Sequence, residues 1–412
     1  MRRVVITGMG AVTPFGVGTG VLWDSVKAGN NGVDKVTRID VSQMPTKVAA
    51  EVRDFNPSDY IERKDAKRMD RFTQYAFVSA LLAYEQSGLK LENEDLTRAG
   101  VIIGSGIGGL ETLEEQHKLL LERGPGRVSP FFIPMMIANM AGGRIALDHG
   151  YKGDNFCPVS ACASSANAIG EAFRKIKYGT LDAAVTGGSE AAITKFALSG
   201  FHNMGALAKG SDMNRLSIPF DKERSGFVMG DGAGILILEE MERAKARGAH
   251  IYAEVTGYGS TDDAFHITGP NPGAEASAKA MEFAVAEAGI KPEDVGYINA
   301  HGTSTELNDK IETAAIKAVF GEHARKLAVS STKSVTGHLL GAAGAIEAVI
   351  CAKALEEGIL PPTANYKVPD IECDLDYITE GMRKTGVANA ISNSLGFGGH
   401  NATLAFQKYK GA

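Results

Sequence analysis

Short apolar runs alternate with amphipathic stretches along the whole chain. Residues 4–13, Val-Val-Ile-Thr-Gly-Met-Gly-Ala-Val-Thr, read as a β-strand turning through glycines. Trp23 to Ala28 reads as a short helix. Asp65 to Ser87 carries a helical period, with Met69, Phe72, Ala76, Ala80 and Ala83 on one face. Arg98 to Gly104 is a predicted strand and Glu111 to Glu122 a helix. Ala166, Ile169, Gly170 and Phe173 recur at spacings of three and four, the mark of a helix that runs to Lys177. A strand over 183–187 follows, then an irregular stretch over 196–230, a strand over 235–239 and a helix over 241–248.

The pattern then starts again. Ile251 to Gly259 reads as a strand, and Glu275 to Ala288 as a helix ended by Gly289. Strands over 295–300 and 327–330 flank a helix over 309–320. A long helix ends at Leu355, and strands over 388–393 and 402–407 close the chain. Strand, reactive residue and small-residue helix describe both Val159–Lys177 and Val329–Leu355. Strand then Gly-rich turn describes both 101–109 and 296–305. One order of elements repeated at long spacing implies internal duplication, with halves at 1–250 and 251–412. Strands alternating with helices imply an α/β fold of parallel or mixed sheets covered by helices. Two such halves side by side bring equivalent strand ends to one central site.

Composition narrows the class. With 49 glycines, 44% hydrophobic and 7% aromatic residues, the 412-residue chain reads as a compact enzyme rather than a disordered segment. Its four cysteines, Cys157, Cys162, Cys351 and Cys373, show no C-x-x-C spacing. A reducing, cytoplasmic setting fits them better than a disulfide or zinc framework. The apolar run after Met1-Arg-Arg is too short for a signal peptide. No run of about 18 apolar residues exists, so no membrane span is expected. A net charge of −6 argues against general nucleic-acid binding. It leaves room for a local basic patch. Lys64, Lys67, Arg68 and Arg71 are either a solvated helix face or a docking patch for an acidic partner. Gly104-Ser-Gly-Ile-Gly-Gly109 fits a dinucleotide fingerprint, but no second βα pair follows and prolines interrupt the next stretch. Glycines serving a tight turn, with Ile107 exposed at its tip, read better. Phe131 to Ala141 is apolar and Met-rich, open to core, dimer-contact or pocket-lining readings.

The candidate chemistry centres on Cys162, set among small residues just before a helix whose first turn Ser164 and Ser165 can cap. A thiol at a helix N-terminus is biased toward thiolate, the nucleophilic form. A buried, inert thiol is the competing reading. His301 stands at a strand end and His338 near a helix start. A Cys-His-His set can bind a metal, act as a protease pair, or transfer acyl groups through a thioester. A helix start disfavours imidazolium, and a neutral His338 can donate an N–H to a developing enolate oxygen, which supports the third use. Lys333 and Glu347 are placed to hold that site and tune its charge.

Five segments together resemble the elongating β-ketoacyl-acyl-carrier-protein synthases of type II. They are Val4-Val-Ile-Thr-Gly-Met-Gly, Ser160-Ala-Cys-Ala, Asn299-Ala-His-Gly-Thr-Ser-Thr, Ser331-Thr-Lys-Ser-Val-Thr-Gly-His and Asn393-Ser-Leu-Gly-Phe-Gly-Gly-His-Asn. The resemblance implies a thiolase-like fold, with duplicated βαβ-rich halves in αβαβα layers, and a homodimer. It implies an acyltransferase in which Cys162 carries an acyl group from acyl carrier protein. His301 and His338, supported by Lys333, then decarboxylate malonyl-carrier protein to an enolate that attacks it. It also implies an oxyanion hole at the N–H groups of Cys162 and Phe397, and an acyl pocket lined by Ile107 and Phe201 and gated by Phe397. Thr303 and Thr305 would bond the pantetheine arm. Lys64, Lys67, Arg68 and Arg127 would meet the acidic carrier protein. No cofactor is implied beyond a monovalent cation, Na+ or K+, held in some members at Asn299, Ala300, Glu347, Ser392 and Asn393. Ala163-Ser-Ser-Ala and Glu306-Leu-Asn depart from the commoner family forms, and neither touches a proposed catalytic atom. A polyketide ketosynthase shares the same triad. A thiolase would need a second catalytic cysteine, where the chain has Gly396-Phe-Gly-Gly. A non-catalytic chain-length partner would lack Cys162.

Overall fold

A computed structural model of the chain describes residues 1–90 and 95–411. Five strands of the first half are β1 (Val4–Thr13), β2 (Ala99–Gly104), β3 (Asn155–Phe156), β4 (Ala183–Glu190) and β5 (Gly232–Glu240). Five of the second are β6 (Ala253–Asp262), β7 (Tyr297–Asn299), β8 (Ala328–Ser330), β9 (Asn389–Gly396) and β10 (His400–Gln407). Their spatial orders match: β3-β2-β4-β5-β1 and β8-β7-β9-β10-β6. So do their directions. In each half the first two pairings of that order are parallel and the last two antiparallel. The halves join where Val4–Ile6 of β1 pairs with Ala253–Val255 of β6. The duplication read from the element order is therefore present in the topology.

Six helices cover these strands: α1 (Arg71–Ser87), α2 (Met140–His149), α3 (Ser164–Lys177), α4 (Glu275–Ala288), α5 (Glu306–Phe320) and α6 (Ala343–Glu357). α3 and α6 pack on each other and on strands of both halves, so they form a central layer. α1 and α2 lie outside the first sheet, and α4, with α5 packed on it, outside the second. The result is five layers, α-β-α-β-α, and both sheets are covered on both faces. That is why β1 is buried at every position. The outer contacts repeat as well. A Cβ on Gly8 or Gly10 would stand 2.1 Å from Ala83 O or 1.9 Å from Ser79 O of α1. On Gly257 or Gly259 it would stand 2.1 Å from Ala284 O or 1.9 Å from Ala280 O of α4. Equivalent strands thus carry glycine because a helix backbone lies directly on them.

Three local expectations change. The helix expected over 65–87 is broken. A short turn, Arg63–Ala66, precedes α1, and the Asp70 carboxylate accepts the Phe72 N–H at 3.1 Å as an N-cap. The stretch over 196–230 is not wholly irregular, because Thr194 caps a helix over Lys195–Asn203. Ser164 and Ser165 do not cap α3. The Ser164 hydroxyl accepts the Ser160 N–H (2.9 Å) and donates to the Ala161 carbonyl (2.7 Å), while Ser165 Oγ accepts the Ala345 N–H of α6 (3.0 Å). Because α3 begins in the interior, its hydroxyls secure the preceding turn and the neighbouring helix instead.

Candidate active site

A cavity of 680 Å³ opens between the halves at the C-terminal ends of their strands. Cys162, His301 and His338 line it, with Ile107, Phe201, Phe397, Thr303 and Thr305. Cys162 lies in the single turn Ala161–Ala163 that leads into α3. Ala161 sits at φ +49°, a left-handed conformation that costs an alanine about 1–2 kcal/mol. The Ser160 and Ser164 bonds hold that turn in place. The backbone of Gly396 lies against it, and a Cβ there would stand 2.7 Å from Ser160 O and 3.1 Å from Cys162 N.

His338 Nε2 lies 3.1 Å from Cys162 Sγ. The two imidazoles meet edge to face, with centroids 5.3 Å apart. Both are buried, and burial, with the nearby Lys333 charge, holds both well below the usual histidine range. Both rings are therefore neutral. His338 is not at a helix start, contrary to expectation. It lies in the link between the turn Lys333–Thr336 and α6, where its N–H donates to Val228 O (2.8 Å) and its carbonyl accepts from Gly230 (2.8 Å). Burial rather than a helix terminus keeps it neutral.

The thiol also departs from expectation. Only 9% of Cys162 is exposed, and burial pushes its thiol up to about 12, against the pull of Lys333 and with a further push from Glu190 and Glu347. Desolvation outweighs the helix dipole, so the resting group is a thiol hydrogen-bonded to a neutral imidazole. A raised value places the thiolate fraction far below that of free cysteine at neutral pH. The Cys162 alkylation rate should therefore keep rising about tenfold per pH unit through pH 9, with no plateau near 8.5. Iodoacetamide kinetics read by peptide mapping check this, and a plateau below pH 8 would contradict it.

Lys333 Nζ donates to the His301 carbonyl (2.6 Å) and to the Glu347 carboxylate, all of it buried. Burial pushes Glu347 up to about 7 against the attraction of Lys333. The N–H groups of His301 and Gly302 both donate to the Glu312 carboxylate, at 2.8 Å each. The His301 loop is thus gripped from two sides. Sequence reading missed Glu312 and Glu190. A carboxylate at 312, on the same face of α5 as Ile311, Ala315 and Ile316, was the only available signal for the first.

The other expected residues fall into three groups. The Phe201 ring lies 6.4 Å from that of Phe397, tilted by 43°, and the hydroxyls of Thr303 and Thr305 are 2.9 Å apart at the cavity wall. Lys64, Lys67 and Arg68 line a shallow surface depression with Arg63, away from the cavity lining. Arg68 also lies over the Phe131 ring (4.5 Å), and Arg127 is exposed on the turn Pro125–Arg127. At the cation positions, Asn299 Oδ1, Glu347 Oε2 and Ser392 Oγ are buried with no hydrogen-bond partner. Asn299 and Ser392 are register partners on β7 and β9. Three unpaired buried oxygens suit a hard monovalent cation. Ala300 can add only a carbonyl. The Asn393 amide is already engaged by Glu312 (3.1 Å) and Thr403 (2.9 Å). Among the described residues no three His, Cys, Asp or Glu side chains converge to hold a metal, so the Cys-His-His metal reading has no geometric support. None of the described helices is long and apolar enough to cross a membrane, and all four cysteines are free.

Fold and site together define a thiolase-like α/β enzyme built around a buried thiol beside two neutral imidazoles. The sequence matches the Beta-ketoacyl synthase N-terminal domain over residues 1–244 and the Beta-ketoacyl synthase C-terminal domain over residues 252–367. The chain belongs to the beta-ketoacyl synthase family. It is 51% identical over 409 residues to a 3-oxoacyl-[acyl-carrier-protein] synthase 2 of Staphylococcus aureus, covering 99% of each chain. It is 51% identical over 410 residues to the protein of that name from Synechocystis, again covering 99% of each. Among solved structures it is similar to a beta-ketoacyl synthase from Burkholderia phymatum, with TM-score 0.90, 33% identity and 100% of each chain covered. It is also similar to a type II polyketide ketosynthase in complex with its acyl-carrier protein. There the TM-score is 0.91 and the identity 34%, covering 99% of this chain and 100% of that one.

Proposed function

We propose that the protein is the elongating condensing enzyme of type II fatty-acid synthesis. The observation that carries this reading is the Cys162 Sγ to His338 Nε2 contact of 3.1 Å in a cavity shared with His301. An acyl-carrier protein delivers its thioester to Cys162. The thiol proton passes to His338 as Sγ attacks the carbonyl, and the departing pantetheine thiolate takes it. The N–H groups of Cys162 and Phe397 would hold the oxyanion. Malonyl-carrier protein then occupies the same cavity, its arm bonded by Thr303 and Thr305. Its C–carboxylate bond breaks, CO2 leaves, and neutral His301 and His338 donate N–H bonds to the enolate oxygen. Neutral donors suit this step, since an imidazolium would protonate the enolate carbon. The carbanion attacks the Cys162 thioester, the C–S bond breaks, 3-oxoacyl-carrier protein leaves, and the Cys162 thiolate regains a proton from water.

The higher identity to the 3-oxoacyl synthases than to the polyketide ketosynthase, 51% against 34%, favours fatty-acid chains. Incubation with acyl- and malonyl-carrier proteins tests the reading. A single two-carbon extension with one CO2 supports it, repeated extension without reduction marks a polyketide ketosynthase, and no product refutes both.

Four attributes go with this reading. Lys64, Lys67, Arg68 and Arg127 form the docking surface for the acidic carrier protein. Lys67→Glu with Arg68→Glu should raise the KM for carrier-protein substrates about tenfold and spare small thioesters. Equal KM values in steady-state kinetics would contradict the docking role. The protein is a homodimer closing over edge strand β3, where Phe156 and Val159 are exposed; Phe131 and Ile133 of the apolar segment are exposed as well. Na+ or K+ would be held by Asn299, Glu347 and Ser392. Four free thiols suit a cytoplasmic setting.

A further inference from the structure

Glu190 ends β4, is fully buried, and lines the cavity. Its carboxylate takes four donors: the N–H groups of Gly106 (2.8 Å), Ile107 (3.2 Å) and Gly341 (3.0 Å) and the Ser105 hydroxyl (3.1 Å). These fill the four acceptor positions of a carboxylate. Three belong to the turn after β2, which carries Ile107. The fourth comes from the other half of the molecule, three residues beyond His338. Gly104–Gly109 is the stretch that mimics a dinucleotide fingerprint. Its N–H groups do point at an anion, but the anion is the protein's own Glu190. The turn has no room for anything larger than glycine here. A Cβ on Gly106 would stand 2.9 Å from Glu190 Oε2. A Cβ on Gly341 would stand 2.6 Å from that oxygen and 2.3 Å from Gly106 N.

We propose that Glu190 is a positioning residue that ties the Ile107 wall of the donor-acyl pocket to the His338 turn, so that pocket shape and catalytic geometry are set together. The proposal rests on the condensing-enzyme reading above. It extends that reading to a residue that touches neither the thiol nor the imidazoles through a hydrogen bond. A chain long enough to press on Ile107 meets a wall braced from the opposite half, whereas a short chain does not reach it. Burial also pushes the Glu190 carboxyl up to about 7. Protonation turns one acceptor position into a donor, and one of the four bonds must then break. The titratable side chains facing it are the thiols of Cys162 and Cys157, both pushed up by burial and neutral in this range.

The test compares wild type, Glu190→Gln and Gly341→Ala by kcat/KM for short- and long-chain acyl-carrier proteins between pH 6 and pH 8. Glu190→Gln should lose about tenfold or more for long donors and much less for short ones. The wild-type ratio of long to short should rise with pH through about 7, and the Glu190→Gln ratio should stay flat at the low-pH value. Gly341→Ala, which displaces the carboxylate from the other side, should shift the ratio the same way and remains informative if Glu190→Gln does not fold. Equal losses for all donors with an unchanged pH profile would overturn the proposal and leave Glu190 a stability residue. Failure of wild type to condense any donor would instead overturn the condensing-enzyme reading.

Discussion

Cys162→Ala should lower condensation by about 10⁴-fold or more, the scale seen when a covalent nucleophile is removed from a site that otherwise stays intact. No other thiol can replace it. Cys351 is buried in α6, Cys373 is buried in the outer core of the second half, and neither lines the cavity. Cys157 does not line it either. Losing one sulfur atom from a packed turn costs about 1 kcal/mol, so the variant folds. His301 and His338 are untouched, so the variant should still release CO2 from malonyl-carrier protein without forming a product. That separation distinguishes a lost nucleophile from a collapsed site. Residual acyl-enzyme on the variant, seen by intact mass, would place the nucleophile elsewhere.

Lys333→Met should be the most destabilising single change around the site. Lys333 is buried, ion-paired to buried Glu347, and bonded to the His301 carbonyl. Removing one partner of a buried pair costs about 3–5 kcal/mol because the other charge is left stranded. For a chain of this size that corresponds to a Tm lower by roughly 3–6 °C. Activity should fall by about 10²-fold as the His301 loop loses its anchor. The pH dependence has a definite sign. Glu347 already stands at about 7, above its usual value. A carboxyl raised in the folded state contributes stability that is full below its unfolded value and is lost as pH rises through the folded value. Without Lys333 the neighbouring ammonium no longer offsets this loss. Lys333→Met should therefore be closest to wild type near pH 5.5 and furthest from it above pH 8. Lys333→Met with Glu347→Leu should recover Tm but not activity, because hydrophobic replacement removes the stranded charge and not the missing anchor. Thermal melts of the three proteins across pH check this, and a pH-independent gap would contradict it.

Much of this architecture is legible without coordinates. The apolar positions of residues 4–13 mark strand β1, and Gly289 marks the end of α4, whose observed bounds are those expected. The repeated element order gave the duplication, and the strand-end positions of Cys162 and His301 placed them at one cavity. What was not legible depends on burial and on contacts between distant residues. The helix-start argument for Cys162 favoured a thiolate, but it carried no desolvation cost, and that cost dominates. His338 looked like a helix-start residue because the intervening turn and link are too short to show a period. Asp70 interrupts a continuous helical pattern because its carboxylate caps the start of α1 there. Glu190 and Glu312 were hidden because their partners are backbone N–H groups, which leave no pattern of residue types.

The central claim is that the acyl group rests on Cys162 and leaves it by attack of a carbanion made next to it. Intact mass and peptide mapping of wild-type protein, first with acyl-carrier protein and then with malonyl-carrier protein, test it most directly. The expected result is one acyl adduct per chain, mapped to the peptide that contains Cys162, that disappears on the second addition as equal amounts of CO2 and 3-oxoacyl-carrier protein form. An adduct on any other residue, or CO2 release with the Cys162 adduct left in place, would contradict it.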